Sequence, residues 1–254
     1  MELPFRIGTT SYIYPDEIIP NVHRLKDRVN DIELLFFEVN DEADIPSVEN
    51  MKELLQISRD SDLTYTPHLP VDLHLGSNRD LLRESSIDKV VTLINHLYYL
   101  QPHCYVLHLN LMDIEEIRID AWQKRISDSL QSILNKTVCK NSEIGIENIN
   151  YPFWYIEDII ADNNLSICID VGHLIVAGAD VEKHLNKYLN KTKVIHLHGV
   201  YRDRDHQSLR YMDRKLLKKI WNILNCNNYD GILTLEIFSE SNFEESISII
   251  EELL

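Results

Sequence analysis

Short apolar runs alternate along this chain with longer segments of helical periodicity. Arg6-Ile7-Gly8-Thr9-Thr10-Ser11 reads as a first strand and its end. Residues 31–38, 63–68, 104–108, 143–147, 165–170, 193–198 and 231–236 repeat the type, each a brief apolar run bounded by polar or turn residues. Between them, residues 17–28, 47–58, 80–100, 119–139, 153–162, 181–189, 213–224 and 243–254 carry apolar side chains at helical spacing, and Pro46-Ser47 is a helix start signal. Near-continuous apolar strands separated by amphipathic helices predict a parallel sheet covered by helices. Eight such repeats in 254 residues predict one (β/α)8 barrel of the TIM type, a single domain spanning residues 1–254. An open doubly wound sheet is the alternative, but it has fewer strands and often a Gly-rich phosphate loop after the first strand. None is present here.

Composition narrows the partners. The net charge of −16 argues against broad electrostatic capture of nucleic acid or of an anionic membrane. It leaves room for one phosphate at a local basic loop, and Arg202 with Arg204 forms such a loop. No apolar run reaches membrane-spanning length, and the N-terminus enters a strand without a signal-peptide pattern, so the expected location is the cytoplasm. Cys104, Cys139, Cys168 and Cys226 are scattered with no CxxC pair, and Cys104 and Cys168 read as small core residues.

The strand ends carry the candidate chemistry. A TIM barrel collects the C-terminal ends of its strands at one mouth. Those ends hold His68, His108, Glu147, Asp170 with His173, His196 with His198, and Glu236, and the segment Arg202-Asp203-Arg204-Asp205-His206-Gln207 follows the seventh strand. Any one of these is ordinary: a lone His is more often a hydrogen-bonded structural residue, and Asp170 alone could be a helix cap. Together they change the reading, because burying so many acids and imidazoles without a cation is costly. Mixed imidazole and carboxylate donors suit zinc, manganese, iron or cobalt. A carboxylate such as Glu147 can bridge two ions, which suits phosphoryl chemistry. His23, His74, His96, His103 and His184 read as structural or exposed, and Trp122, Trp154 and Trp221 as helix-to-barrel packing. Tyr151-Pro152-Phe153-Trp154 follows Glu147 closely enough to wall a pocket.

On these residues the whole chain resembles the xylose-isomerase-like barrel superfamily of sugar isomerases, epimerases and abasic-site endonucleases. Glu147, Asp170, His196 and Glu236 match the metal core that both branches share, and Asp170-Val171-Gly172-His173 matches the Asp-x-x-His element. His68 and His108 match histidines of the endonuclease branch. The Asp-x-His element of that branch is altered here to Asp203-Arg204-Asp205-His206, and His198 is a further departure. Gly8-Thr9-Thr10-Ser11-Tyr12-Ile13-Tyr14-Pro15, with Asp31-Ile32-Glu33-Leu34 and Phe37-Glu38, resembles the cobamide-remodelling phosphodiesterases of the CbiR family. That resemblance implies hydrolysis of the nucleotide-loop phosphodiester of a B12-type corrinoid, a small-molecule substrate rather than nucleic acid. The implied cofactor is two or more divalent ions, zinc or manganese, held by His68, His108, Glu147, Asp170, His173, His196 and Glu236. Glu147, Glu236, His198 and His206 are then the catalytic candidates, with Arg202 or Arg204 clamping the phosphate. The rivals are a one-metal sugar isomerase or epimerase exchanging protons through Glu147 and Glu236, an abasic-site DNA endonuclease, and a non-catalytic corrinoid-binding barrel.

Overall fold

A computed structural model describes residues 3–39, 45–111, 118–202 and 204–253. The strands are β1 (Arg6–Thr10), β2 (Asp31–Leu35), β3 (Thr64–His68), β4 (Tyr105–Leu107), β5 (Ile144–Glu147), β6 (Ser166–Asp170), β7 (Thr192–Leu197), β8 (Gly199–Tyr201), β9 (Arg204–Gln207) and β10 (Ile232–Leu235). All but β8 and β9 join one closed barrel in the order β1-β10-β7-β6-β5-β4-β3-β2. Its neighbours are parallel throughout. The helices are α1 (Ile18–Leu25), α2 (Val48–Ser61), α3 (Asp80–Leu97), α4 (Ile119–Lys136), α5 (Glu157–Asp162), α6 (Val171–Val176), α7 (Val181–Tyr188), α8 (Arg214–Cys226) and α9 (Glu240–Glu251). Among the described residues, no helix is long and apolar enough to cross a membrane.

Two separate apolar clusters follow from the pleat. The larger lies between strands and helices, with Leu107, Ile146, Ile167, Ile169 and Ile195 on one side and residues such as Trp122 and Leu130 on the other. The smaller is Cys104, Val106, Cys168 and Val194, inside the barrel. Side chains alternate faces along a strand. The residues two further along from this inner cluster therefore also point inward: His108 after Val106, Asp170 after Cys168, His196 and His198 after Val194. Gly145 leaves space in the same layer, since a Cβ there would sit 2.7 Å from the Cys104 sulfur, and Glu147 follows it by two. The small residues thus form the floor, and the acids and imidazoles stand on it.

The structure departs from the sequence reading in four places. The second strand stops at Leu35 rather than 38. The Asp170-Val171-Gly172-His173 stretch, expected as a tight turn, is the start of α6. Between β7 and α8 lies the unexpected hairpin β8–β9. Trp154 is 65% exposed instead of packed, whereas Trp122 and Trp221 are buried as expected. Asp203 of the basic loop lies outside the described residues.

Candidate active site

Glu147 stands at the centre. It ends β5, and strand pairing brings it level with Cys168 on β6. Its Oε2 lies 3.2 Å from His68 Nε2, 3.0 Å from His108 Nε2 and 3.5 Å from His196 Nδ1. Its Oε1 lies 3.2 Å from His173 Nδ1. On the far side, His196 Nδ1 is 3.2 Å from Glu236 Oε2 and 3.7 Å from Asp170 Oδ2. His206 Nδ1 lies 3.4 Å from Glu236 Oε2. Every strand-end acid and imidazole expected at the mouth is therefore within one cluster.

Hydrogen bonds from outside the cluster decide which nitrogen of each ring faces it. His68 Nδ1 donates to the Leu69 carbonyl at 2.9 Å, so its Nε2 turns a lone pair toward Glu147. His196 Nε2 donates to Glu33 Oε2 at 2.8 Å, so its Nδ1 turns a lone pair toward Glu147, Asp170 and Glu236. Lone pairs aimed at carboxylate oxygens repel unless a proton or a cation sits between them. His108 Nε2, Glu147 Oε1, His196 Nδ1 and Glu236 Oε2 are all buried without a hydrogen-bond partner. The donor set and these orphaned atoms fit divalent ions. His68, His108 and Glu147 bring donor atoms within 4.8 Å of one another, as do Glu33, His196 and Glu236. His173, Asp205 and His206 form a further set of the same size, so the altered loop still delivers an acid beside two imidazoles.

His198 has a different task. The backbone N–H of His206 donates to His198 Nδ1 at 2.9 Å, which leaves the ring proton on Nε2, 3.2 Å from Asp170 Oδ2. The fully buried ring thus holds Asp170 in place. His206 makes this contact from within β9 with φ at +52°, a left-handed backbone position inside the strand. Asp170 also caps α6 by accepting from the His173 backbone, and Asn148 bridges to the Asp170 backbone through both its amide atoms. Gly172 permits this crowding. A Cβ there would fall 1.9 Å from His198 Cε1. Gly172→Ala is therefore expected to displace His198 and to lower the thermal midpoint. Overpacking costs about 1–3 kcal/mol, or roughly 2–4 °C per kcal/mol in a chain of this size. A melting curve matching wild type would refute that contact.

Without a cation the imidazoles take up protons in its place. Burial opposes charge on His173, but Asp170 and Glu147 override it and lift the ring to about 10. Burial opposes charge on His206 as well, and the neighbouring Glu236 carboxylate raises it to about 9. Burial pushes Glu147 and Glu236 up, yet the surrounding imidazoles hold both well below the usual carboxylate range. Cation binding at such a site displaces protons.

Two residues at the site were missing from the sequence reading. Glu33 is fully buried on β2 and holds His196. His184, assigned to structure or surface, is half-buried on α7 and lines a cavity of about 770 Å³ that opens beside His108, His173 and Asp205. Tyr151, Pro152 and Phe153 line it too, as the sequence suggested. Arg202 and Arg204 are exposed on the hairpin, and the Arg202 guanidinium lies over the Tyr201 ring.

The barrel has solved counterparts in two functional groups. A D-tagatose 3-epimerase-like protein superposes with a TM-score of 0.82 at 17% identity, covering 98% of this chain and 97% of its own. Endonuclease IV from Thermus thermophilus gives 0.75 at 17%, covering 97% and 99%. The 3-keto-D-glucoside 4-epimerase of E. coli gives 0.74 at 15%, covering 98% of each chain. At these identities the likeness concerns the fold. No curated protein sequence matches significantly. The family profile matches residues 28–253, and the chain belongs to the xylose isomerase-like TIM barrel family.

Proposed function

We propose that this protein is a divalent-metal-dependent phosphodiesterase that opens the nucleotide-loop phosphodiester of cobamides in the cytoplasm. The observation that carries the reading is Glu147, whose Oε2 is shared by His68 and His108 on one side and His196 on the other. A carboxylate placed among these imidazoles would be able to hold adjacent cations, which would supply the charge stabilisation used in phosphoryl transfer. Zinc or manganese suits the donors, with His68, His108, Glu147, Asp170, His173, His196 and Glu236 as ligands. When bound, such ions polarise phosphoryl oxygens and acidify water. Glu236 positions His206, which is partly exposed and meets the leaving oxygen, while His198 keeps Asp170 oriented. Arg202 and Arg204, exposed on the hairpin that follows β7, are the cations that would clamp the phosphate. The corrinoid assignment is supported by the Gly8–Pro15 resemblance and by a cavity far larger than a monosaccharide requires. The net charge of −16 favours this small molecule over duplex DNA.

One observation favours a second reading. Glu147 and Glu236 flank His196 Nδ1 at 3.5 and 3.2 Å, a pair of carboxylates suited to proton exchange at carbons beside a carbonyl. A single-metal ketose epimerase would use that pair.

Chromatography of coenzyme B12 incubated with metal-replete protein separates the two. Chelator-sensitive appearance of a corrinoid without its lower base is expected, with two or more ions bound per chain. Unchanged cofactor in protein shown to carry metal would overturn the reading and turn attention to a ketose panel.

A further inference from the structure

The cavity beside the cluster has two chemically different ends. Toward the barrel axis it is lined by His108, Asn148, His173 and Asp205. Away from it the walls are Tyr151, Phe153, Leu174, Val176, Ala177 and His184. These rings are fixed by their own packing. Tyr151 sits edge-on to Trp122 with centroids 5.3 Å apart and stacks on Tyr155 at 6.2 Å. Phe153 is edge-on to His184 at 5.2 Å and to Tyr188 at 4.9 Å. Rings held this way present a preformed slot and lose little entropy when a ligand enters.

Two polar atoms in that wall are unsatisfied. Tyr151 Oη and His184 Nε2 are buried and have no hydrogen-bond partner. A buried polar atom left unpaired costs about 1–3 kcal/mol, so such atoms usually meet a partner in the working state. Burial lowers the His184 imidazole to about 4, with Lys187 adding to the effect and Glu157 opposing it, so the ring is neutral. Among the described residues that line the cavity there is no Lys or Arg. A phosphate has no cationic partner at this end. A sugar would set its hydroxyls against Phe153, Leu174 and Val176 unpaired. A neutral flat ring carrying nitrogen at its edge meets both demands: its faces lie on apolar walls and its edge pairs with the two orphaned atoms.

We propose that the outer end of this cavity is a binding subsite for a neutral nitrogen heteroaromatic ring, with His184 and Tyr151 as specificity residues. In the corrinoid reading, on which this identification of the ring rests, it is the lower base, placed so that its phosphodiester reaches the His108–His173 end. The subsite then grips the part of the substrate that distinguishes one cobamide from another.

The test uses benzimidazole as probe with chelator-treated protein, so that no turnover is involved. Calorimetry is expected to show saturable binding, and indane, the same shape without nitrogen, to bind roughly a hundredfold more weakly, as loss of two neutral hydrogen bonds predicts. Ala177 lines the cavity from an exposed position, so Ala177→Trp fills the slot without disturbing the core and is expected to abolish binding. His184→Phe keeps the wall and removes one of the two partners, and is expected to weaken benzimidazole roughly tenfold while leaving indane little changed. Absence of saturable binding, equal binding to Ala177→Trp, or no preference for benzimidazole over indane would each overturn the proposal. Benzimidazole binding that Ala177→Trp blocks, in protein that leaves coenzyme B12 intact, would uphold the subsite while removing the phosphodiesterase. Cobamide hydrolysis with the same KM in Ala177→Trp would do the reverse.

Discussion

Glutamine in place of Glu147 is expected to lower kcat/KM for the proposed cobamide substrate by a factor on the order of 10²–10³, the loss typical when one preorganised electrostatic group is removed from an active site. The substitution conserves shape, so the barrel should fold and show an unchanged far-ultraviolet spectrum. The effect arises from what an amide does in that position. Glu147 now offers oxygen to His68 at 3.2 Å and to His108 at 3.0 Å, with His68 Nε2 presenting a lone pair. An amide N–H turned to that lone pair would make a direct hydrogen bond and close the space a cation would take. Fewer ions per chain should therefore be counted in the variant by elemental analysis. Wild-type turnover with a full complement of metal would remove Glu147 from its central role.

The barrel was legible because its strands are short, largely apolar runs and its helices are apolar on one face, a contrast of period that survives in one dimension. The strand-end residues were legible for a related reason. One metal-capable residue closing an apolar run can be a cap or a buried hydrogen-bond partner, but six such closures are too many for capping and packing alone. His68, His108, Glu147, Asp170, His196 and Glu236 all converge as that pattern implies. Glu33 escaped because it lies within its strand. Register pairs it with Thr66, one inward layer below His68, yet it stands close enough to His196 to hold it. The alternation of Asp31-Ile32-Glu33-Leu34 gives the face on which Glu33 lies but not its depth, which the stagger of a closed barrel sets. His184 escaped although its helix was read correctly, because which face of α7 meets the cavity is set by the packing of His184 and Tyr188 against Phe153. Asp170-Val171-Gly172-His173 resembles a turn when Gly172 is taken as a breaker. The glycine is needed instead because His198 packs against it, and the helix it begins carries the chain to one wall of the cavity. The hairpin had no apolar signature, since Arg204-Asp205-His206-Gln207 pairs with β8 at the surface of the mouth, away from any core.

Glu33 carries the second large expectation. Glu33→Ala should weaken divalent-cation binding roughly 10–100-fold, the usual cost of removing the group that orients a ligating histidine. The geometry gives the reason. His196 and Glu33 are both fully buried, and no water competes for the bond between Nε2 and Oε2. With Ala in place, the Nε2 proton loses its acceptor, and the ring gains by moving that proton to Nδ1, where Glu236 lies 3.2 Å away. The lone pair that should face the cation is then consumed inside the cluster. Glu33→Gln separates orientation from charge, because its amide oxygen still accepts from Nε2. Titration of both variants with zinc and with manganese is expected to place Gln within a few-fold of wild type and Ala far below it. Equal loss in both would mean that the negative charge of Glu33, rather than its grip on the ring, supports the ion. Unaltered affinity in Glu33→Ala would mean that the barrel wall alone keeps His196 turned inward, and that the buried carboxylate serves the fold instead.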